Sequence, residues 1–313
     1  MKDATTIFTR HPQNPLLDPK DYPGIAKIFN PSPVMYGDKT ILLVSIVRHI
    51  SGWGMGETRV AISDDGINFT MADEEFIKFD NTTAPYDLVG SHRIDNRITK
   101  IDDTYYILTP VGVRDNLGPC TVLGKTKDFK TYEPIDVITL PPNRGASLFP
   151  EKIDGLYYKL DRPGGGIGKL GTIWISSSPD LIHWGSYKPV IRPYNHLNAT
   201  KMGPTPPIKT PQGWLVITHN VMTPCDGPHY TVGAIMLDLK NPAKVIGKTN
   251  SWLLFPEEDY ETRGTCDNVV FPCGAIADAA KDEIRLYYGA ADTRVALATG
   301  SLSATIEATL QEL

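Results

Sequence analysis

Several features that mark secreted, membrane and nucleic-acid-binding proteins are missing from this chain of 313 residues. The N-terminal stretch MKDATTIFTRHPQNPL lacks the apolar core of a signal peptide. No apolar run approaches the roughly 20 residues that a membrane span needs. Runs rich in Lys and Arg are absent and the formal net charge is -5, which argues against a nucleic-acid partner. We therefore expect a cytoplasmic protein that binds neither membrane nor nucleic acid.

Sequence motifs for zinc, other metals and nucleotides are also missing. The four cysteines show neither a CxxC motif nor a zinc spacing, and no His, Cys and carboxylate cluster has a recognisable metal-ligand spacing. No GxxxxGK[ST] or GxGxxG loop appears, which argues against a bound nucleotide. We predict no metal site and no organic cofactor, and we favour free thiols over the alternative of a disulfide, which the sequence leaves open.

Amphipathic helix patterns are also rare, whereas turn residues are frequent, with 27 Gly and 26 Pro. The apolar runs are short, rich in Val, Ile, Tyr and Trp, and bounded by Gly, Asp and Pro. This pattern is typical of strands. The sequence therefore predicts an all-β chain.

One kind of strand recurs five times after similar turns, at intervals of about 50 to 70 residues. The five copies are TILLVSIVR, TYYILTP, LYYKLDRP, WLVITHN and EIRLYYGAAD. A period of this size with several strands per unit is typical of a β-propeller. We predict that residues 1–313 form a single five-bladed β-propeller domain with a short N-terminal extension.

A second pattern, S/T-x-D-x-x-x-aromatic, runs out of phase with the first. It occurs at residues 63–69, 126–132 and 178–184, with a degenerate fourth copy around Asp238. Short acid and hydroxyl side chains bond turn amides while the aromatic packs behind the turn. We assign these aspartates a structural role.

Charged side chains stand at the ends of four of the repeated strands. These residues are Arg48, Arg162, His219 and Asp292. Equivalent strands of a propeller approach one axis, so we expect the four to share a pocket. The segment SHRIDNRI, residues 91–98, adds Asp95 between Arg93 and Arg97, and loops ahead of two repeated strands add Arg144 and Lys201.

The chemistry of such a pocket follows from its charges. The basic side chains are suited to a dianion, of which free phosphate is the simplest. The acids Asp95 and Asp292 make glycosyl transfer plausible, since it needs a carboxylic acid to protonate the leaving oxygen. A hydrolase would add a second carboxylate to activate water. A phosphorylase would use phosphate itself and would need cations instead.

Several motifs in a fixed order resemble those of glycoside hydrolase family 130, the β-mannoside phosphorylases and related mannosidases. The resemblance runs from about Asn30 to Leu302 and implies a five-bladed β-propeller. The motifs are DNRITKIDDTYYI, NRGASLFPEKIDGLYYKLDRP, IWISSSPDLIHWG, GPTPPIKTPQGWLVITHNV, YTVGAIMLDLKNP, NVVFPCGAI and YYGAADTRVALA.

The resemblance implies a role for each matching residue. Asp95 matches the general acid, which in the family acts through a hydroxyl of the mannosyl residue. The residues that match the phosphate-holding group are Arg144, Arg162, Lys201, His219 and Tyr230. The residues expected to bind the mannosyl unit or line its subsite are Asn30, Arg48, Arg97 and Asp292. Three positions depart from the family pattern: Asn96 replaces Pro, Asp161 replaces His, and Asn220 replaces Gly.

We predict an inverting β-mannoside phosphorylase that uses inorganic phosphate as co-substrate and acts on β-mannoside oligosaccharides. The alternatives are an inverting β-mannosidase and a non-catalytic sugar-binding propeller. A hydrolase could take its base from Glu151, Glu257, Glu258 or Glu261. Four aromatics could stack on sugar rings: Trp53, Tyr86, Trp174 and Trp214. Trp174 and Trp214 lie inside strands and are expected in the core. A homo-oligomer is possible.

Overall fold

The computed structural model describes residues 7–48, 56–80, 92–113, 118–164, 171–193 and 199–310. These residues form five small antiparallel sheets, arranged in a ring as a five-bladed β-propeller. The predicted fold class is confirmed. Trp53 and Tyr86 lie outside the described residues.

Four blades follow one another along the chain. Blade 1 contains β2 (Lys27–Tyr36), β3 (Lys39–Val47), β4 (Glu57–Ser63) and β5 (Thr70–Met71). Blade 2 contains β6 (Arg97–Ile101), β7 (Thr104–Gly112), β8 (Pro119–Thr126) and β9 (Glu133–Val137). Blade 3 contains β10 (Ser147–Leu148), β11 (Tyr157–Asp161), β12 (Ile173–Ser178) and β13 (Gly185–Ile191). Blade 4 contains β14 (Lys201–Pro204), β15 (Ile208–Lys209), β16 (Trp214–Met222), β17 (His229–Leu237) and β18 (Val245–Lys248).

Blade 5 joins the two ends of the described chain. It contains β19 (Val270–Pro272), β20 (Ile276–Asp278), β21 (Glu283–Ala290) and β22 (Arg294–Ser301), and its outer strand is β1 (Phe8–Arg10). Phe8 of β1 pairs with Gly300 of β22. Part of the predicted N-terminal extension therefore completes the last blade, and contacts between β19 and β2 close the ring.

An ion pair at the end of β1 helps to hold this strand in blade 5. Arg10 donates from Nε to Glu261 Oε1 at 2.8 Å, and Glu261 is fully buried. Glu261 lies in the short helix α1 (Asp259–Thr262) and also accepts from the Tyr288 hydroxyl at 2.6 Å. The second helix, α2 (Leu302–Leu310), follows β22. Neither helix of the described chain has the length and apolar character needed to cross a membrane.

The repeated apolar strands predicted from sequence are the second strands of their sheets: β3, β7, β11, β16 and β21. Their side chains alternate between the two sheet faces and pack against the neighbouring blade on each side. Five buried clusters fill the five interfaces between blades. For example, Phe149 of the third-blade region packs edge-on against Trp214 of blade 4, with ring centroids 5.2 Å apart. Apolar burial between blades thus holds the ring together.

The second sequence pattern forms the turn between the third and fourth strand of a blade. Asp65 Oδ1 accepts from the backbone N–H groups of Ile67 and Asn68, both at 2.8 Å. The three other aspartates, Asp128, Asp180 and Asp238, accept the equivalent pairs of amide bonds. The structural role assigned to these aspartates is confirmed.

Candidate active site

Asp95 is held in a constrained position immediately before β6. Its φ is 59°, in the left-handed region that residues other than glycine seldom adopt. Its backbone N–H donates to Ser45 Oγ of β3 at 3.1 Å, and only 4% of the residue is exposed. Asn30 and Asp292 also have positive φ, of 48° and 47°. Such backbone strain clusters at functional sites, where the surrounding structure enforces it.

Both carboxylate oxygens of Asp95 are hydrogen-bonded. Asn30 Nδ2 donates to Oδ1 at 2.7 Å, and Arg144 donates to Oδ2 from Nε at 3.0 Å and from Nη2 at 2.6 Å. Arg97 Nη1 donates to the Asp95 backbone carbonyl at 2.5 Å. Burial alone would raise the pKa of Asp95, but Arg144, the Asn30 hydrogen bond and Arg97 outweigh it and lower that pKa.

The residue after Asp95 is anchored by its side chain. Asn96 is fully buried; its Nδ2 donates to Thr58 Oγ1 at 2.7 Å, and its Oδ1 accepts from Thr109 Oγ1 at 2.8 Å. A proline, which the family resemblance predicts at this position, would fix the backbone through its ring. Here two side-chain hydrogen bonds to blades 1 and 2 fix it instead.

Arg144 and Arg162 lie side by side. Arg162 Nη2 donates to the Arg144 backbone carbonyl at 2.7 Å, while Arg162 Nε is buried with no hydrogen-bond partner among the described residues. Burial, together with the charges of Arg144 and Arg97, lowers the pKa of Arg162 to about 10. Clustered arginines of this kind are stabilised by a bound anion.

Blade 4 adds Lys201, His219 and Tyr230. Lys201 Nζ donates to the Tyr230 hydroxyl at 3.3 Å, and burial with the charges of Arg162 and Arg144 lowers the pKa of Lys201 to about 8. His219 is 1% exposed and its Nδ1 has no hydrogen-bond partner among the described residues. Burial and the nearby cations hold the pKa of His219 well below its usual value, so the ring is neutral.

The strand next to His219 requires a glycine. Gly203 of β14 is the register partner of His219, and a Cβ there would lie 2.2 Å from His219 Cε1. A side chain at residue 203 would therefore displace the imidazole. Lys201, which was predicted in a loop, is instead the first residue of this strand, and Gly203 lets the strand approach the imidazole.

Asp292 is the second acid of the site. Burial, followed by the charge of Asp95, raises the pKa of Asp292 to about 6, and a hydrogen bond with Cys266 acts in the opposite direction. The charge of Asp292 also contributes to raising the pKa of Arg144 and Tyr230. Asp292 is thus electrostatically coupled to both the acid and the basic group.

The structure therefore brings together most of the predicted site residues. Contacts or direct electrostatic effects link Asn30, Asp95, Arg97, Arg144, Arg162, Lys201, His219, Tyr230 and Asp292. Arg48 is placed differently: it is exposed and pairs with Glu57 of β4, with Nη2 3.1 Å from Oε1. Its predicted role in binding the mannosyl unit stays a prediction.

The four glutamates considered as alternative bases have other partners. Glu257 and Glu261 bind Arg10, Glu258 caps α1, and Glu151 pairs with Lys209 at 2.6 Å. These contacts assign them structural roles. Of the two tryptophans expected in the core, Trp214 is 1% exposed, whereas Trp174 is partly exposed and lines a small cavity of about 280 Å³.

Sequence reasoning missed three residues that contact the site. Ser45 binds the Asp95 amide, Cys266 binds Asp292, and the Phe271 ring lies 4.5 Å from the His219 ring. Ser45 carried a usable signal, because it interrupts the apolar run TILLVSIV. Phe271 and Cys266 carried none, since their contacts come from neighbouring blades and from a loop.

Within the described ranges, no group of three or more His, Cys, Asp or Glu side chains could hold a metal ion. All four cysteines are free thiols. The groups hydrogen-bonded to the Asp95 carboxylate are the Asn30 amide and the Arg144 guanidinium, which can also bind sugar hydroxyls and oxyanions.

Comparison with known proteins gives a consistent result. The sequence model of the family Glyco_hydro_130, described as beta-1,4-mannooligosaccharide phosphorylase, matches residues 8–310. A beta-1,4-mannooligosaccharide phosphorylase of Ruminococcus albus is 32% identical over 302 residues, which cover 95% of this chain and 89% of the relative. A beta-1,2-mannobiose phosphorylase of Listeria innocua is 39% identical over 241 residues, covering 76% of this chain and 64% of the relative.

A solved structure shares the fold. The beta-1,2-mannobiose phosphorylase of Listeria innocua, in complex with beta-1,2-mannobiose, superimposes with a TM-score of 0.84 and 27% identity. The match covers 96% of this chain and 99% of that chain.

Proposed function

Because the chain belongs to glycoside hydrolase family 130, we propose that it is an inverting β-mannoside phosphorylase. Phosphate attacks the anomeric carbon of a β-mannosyl residue, the bond to the acceptor sugar breaks, and α-mannose 1-phosphate and the acceptor are released. The relatives named above are phosphorylases of mannobiose and mannooligosaccharide, which supports β-mannosides as substrates. The observation that carries the proposal is the packing of four basic side chains beside one buried, hydrogen-bonded acid.

The basic group fits a phosphate dianion. Arg144 and Arg162 offer planar guanidinium groups that can each donate to two oxygens, and Lys201 adds a point charge. The unpartnered Arg162 Nε and His219 Nδ1 are further polar atoms for which an oxyanion or its hydroxyl is a suitable partner. Phosphate is itself nucleophilic, so this reaction needs no carboxylate to activate water.

Asp95 is the proposed general acid. In the family resemblance it acts through a hydroxyl of the mannosyl residue, which Asn30 and Asp292 are proposed to bind; Asn30 donates to Asp95 and Asp292 is electrostatically coupled to it. Oδ1 and Oδ2 of Asp95 already bind donors, so the carboxyl group is fixed in orientation. A fixed acid delivers its proton along one path, which favours protonation of the leaving group.

The low pKa of Asp95 bears on this role, because a general acid must carry a proton when it acts. Arg144 is the strongest contributor to lowering that pKa and also belongs to the proposed phosphate group. An incoming phosphate competes with Asp95 for the Arg144 guanidinium. When Arg144 hydrogen-bonds to phosphate, the charged form of Asp95 loses part of its stabilisation. The pKa of Asp95 therefore rises. Phosphate binding would then prepare the acid for catalysis.

We expect cleavage of a β-mannobioside to depend on inorganic phosphate. The basic group is suited to hold the nucleophile, and the four glutamates considered as bases for water have other partners. The measurement compares product formation with and without phosphate and identifies the sugar product. Equal turnover in phosphate-free buffer, with free mannose released, would contradict the proposal and favour a β-mannosidase.

The reverse reaction identifies the acceptor. Incubation with α-mannose 1-phosphate and a panel of glucose, mannose and N-acetylglucosamine should release phosphate with the sugars that the site accepts. A protein that binds mannosides but releases no phosphate with any acceptor would favour a sugar-binding propeller.

We also expect the KM for phosphate to rise as the pH increases through about 8. The pKa of Lys201 is lowered to about 8, so this side chain loses its proton, and the site one positive charge, above that pH. Inorganic phosphate is already a dianion there, so its own charge does not offset the loss. The measurement is the KM for phosphate from about pH 8 upward, where inorganic phosphate is already the dianion. Lys201→Arg is the control: guanidinium keeps its charge, so its profile should be flat.

A further inference from the structure

The two phosphate-binding arginines lie on a pair of antiparallel segments, residues 142–145 and 161–164. The Arg144 N–H donates to the Arg162 carbonyl at 3.4 Å, and the Gly164 N–H donates to the Pro142 carbonyl at 2.7 Å. Asn143 and Pro163 face each other as a bridge between these bonds. Side chains alternate between the two faces of such a ribbon. Arg144 and Arg162 therefore share one face, and Asn143 and Asp161 share the other.

A side-chain hydrogen bond joins the two segments on this second face. Asn143 Nδ2 donates to Asp161 Oδ1 at 3.1 Å. Asn143 is 6% exposed and Asp161 1% exposed, so the bond is largely shielded from bulk water, at the wall of the cavity that Trp174 also lines. A shielded hydrogen bond competes little with solvent and holds its geometry well.

Asp161 is itself fixed by two further donors. Its Oδ2 accepts from Lys159 Nζ and from Ser176 Oγ, the latter at 3.0 Å. The Lys159 side chain is fully buried and its ammonium group lies 4.8 Å from the Trp184 ring. The ion pair neutralises the Asp161 charge locally. Asp161 therefore acts on the site through its position rather than through a long-range field.

The ribbon needs such a restraint because the arginines repel each other. Burial, followed by the charges of Arg144 and Arg97, lowers the pKa of Arg162, as expected for a buried cation beside like charges. Two guanidinium groups that must bind one dianion also need fixed spacing, since small errors in placement cost much of the binding.

We propose that Asn143 and Asp161 are positioning residues for phosphate: their hydrogen bond clamps the segments that carry Arg144 and Arg162 at the spacing that one dianion requires. This inference rests on the proposed function and assigns a role to two residues that do not touch the substrate. It separates the clamp, which is the Asn143–Asp161 hydrogen bond, from the Lys159–Asp161 ion pair, which neutralises the charge of Asp161.

The test compares variants by calorimetric titration with inorganic phosphate and by steady-state kinetics. Asn143→Leu keeps the branched shape of the side chain and the ion pair but removes the donor. We expect its Kd and KM for phosphate to rise about 10- to 100-fold, with the KM for the mannoside nearly unchanged. If this variant does not fold, Asn143→Ser, which is too short to reach Asp161, replaces it with the same expected result.

Two further variants separate the clamp from simple stability. Thr210→Val removes a buried hydrogen bond to Gly213 in blade 4, 2.8 Å long, at the end of β16 away from His219. It should lower the melting temperature and leave the Kd for phosphate unchanged. The double variant Lys159→Met with Asp161→Asn removes both charges but keeps an oxygen that accepts from Asn143, so it should bind phosphate nearly as wild type does.

The outcomes are distinct. If Asn143→Leu binds phosphate with the same Kd as Thr210→Val and the wild type, the Asn143–Asp161 hydrogen bond has only a structural role. That result would overturn the proposal. If the double variant loses as much phosphate affinity as Asn143→Leu does, the ion pair and not the hydrogen bond positions the arginines. That result would also overturn the proposal. If wild-type protein binds no phosphate in the same titration, the proposed function fails instead.

Discussion

Replacing Asp95 by asparagine is expected to lower kcat by roughly 10²- to 10⁴-fold, the usual contribution of one acid–base residue. Amide and carboxyl groups have nearly the same shape, and the amide oxygen can still accept from Asn30. Mannoside binding should therefore survive. Proton delivery should fail, because an amide has no acidic proton to give to the leaving group.

The measurement pairs steady-state rates with mannoside affinity for the wild type and Asp95→Asn. Glu261→Gln is the matched control, since it changes another buried carboxyl group to an amide, at the Arg10 and Tyr288 contacts. The control should lose stability and keep its kcat. Near-normal rates in Asp95→Asn would contradict the assignment of Asp95 as the general acid. Asp95 would then have only a structural role as a salt-bridge partner.

Arg162→Ala should impair the use of phosphate by about 30- to 1000-fold while changing mannoside affinity little. This corresponds to about 2–4 kcal/mol, the usual cost of removing a charge-assisted hydrogen-bond donor from a buried site. Arg162 is 5% exposed, so water replaces its guanidinium poorly. The loss should appear in the KM for phosphate and in direct phosphate binding.

The control for Arg162→Ala is Arg10→Ala, in which an arginine paired with Glu257 and Glu261 is removed from the outer edge of blade 5. That variant should be less stable but should use phosphate normally. An Arg162→Ala protein that folds and retains the wild-type phosphate dependence would count against the assignment of Arg162.

The fold was predictable because each blade repeats the same physical requirements. Strands such as β3 and β21 are buried on both faces, so they appear in the sequence as short apolar runs between turn residues. Aspartates such as Asp65 and Asp128 recur because each turn needs acceptors for the same amides. The contribution of β1 to blade 5 was not predictable, since three residues far from their partner strand carry no periodic signal.

The candidate site was predictable to the extent that its residues end repeated strands. Arg162, His219 and Asp292 meet because equivalent strand ends approach one axis. The same rule alone places Arg48 there as well, yet Glu57 on the adjacent strand binds it. Strand position is periodic, whereas the choice of an ion-pair partner depends on the neighbouring side chain. The Asn143–Asp161 hydrogen bond could not be predicted from the sequence for the same reason, because it also depends on neighbouring side chains.

The pairing of β1 with β22 has a consequence for how the protein is made. Phe8 and Gly300 are synthesised about 290 residues apart, which at about 5–20 residues per second is roughly 15–60 s. During that time β1 has no strand to join, and contacts of such long sequence separation form slowly. All five blades contribute to the pocket, from Asn30 in blade 1 to Asp292 after β21, so the pocket is complete only once blade 5, which β1 joins, has packed against blade 1. Recovery of activity during refolding would thus report the packing of blade 5 against blade 1.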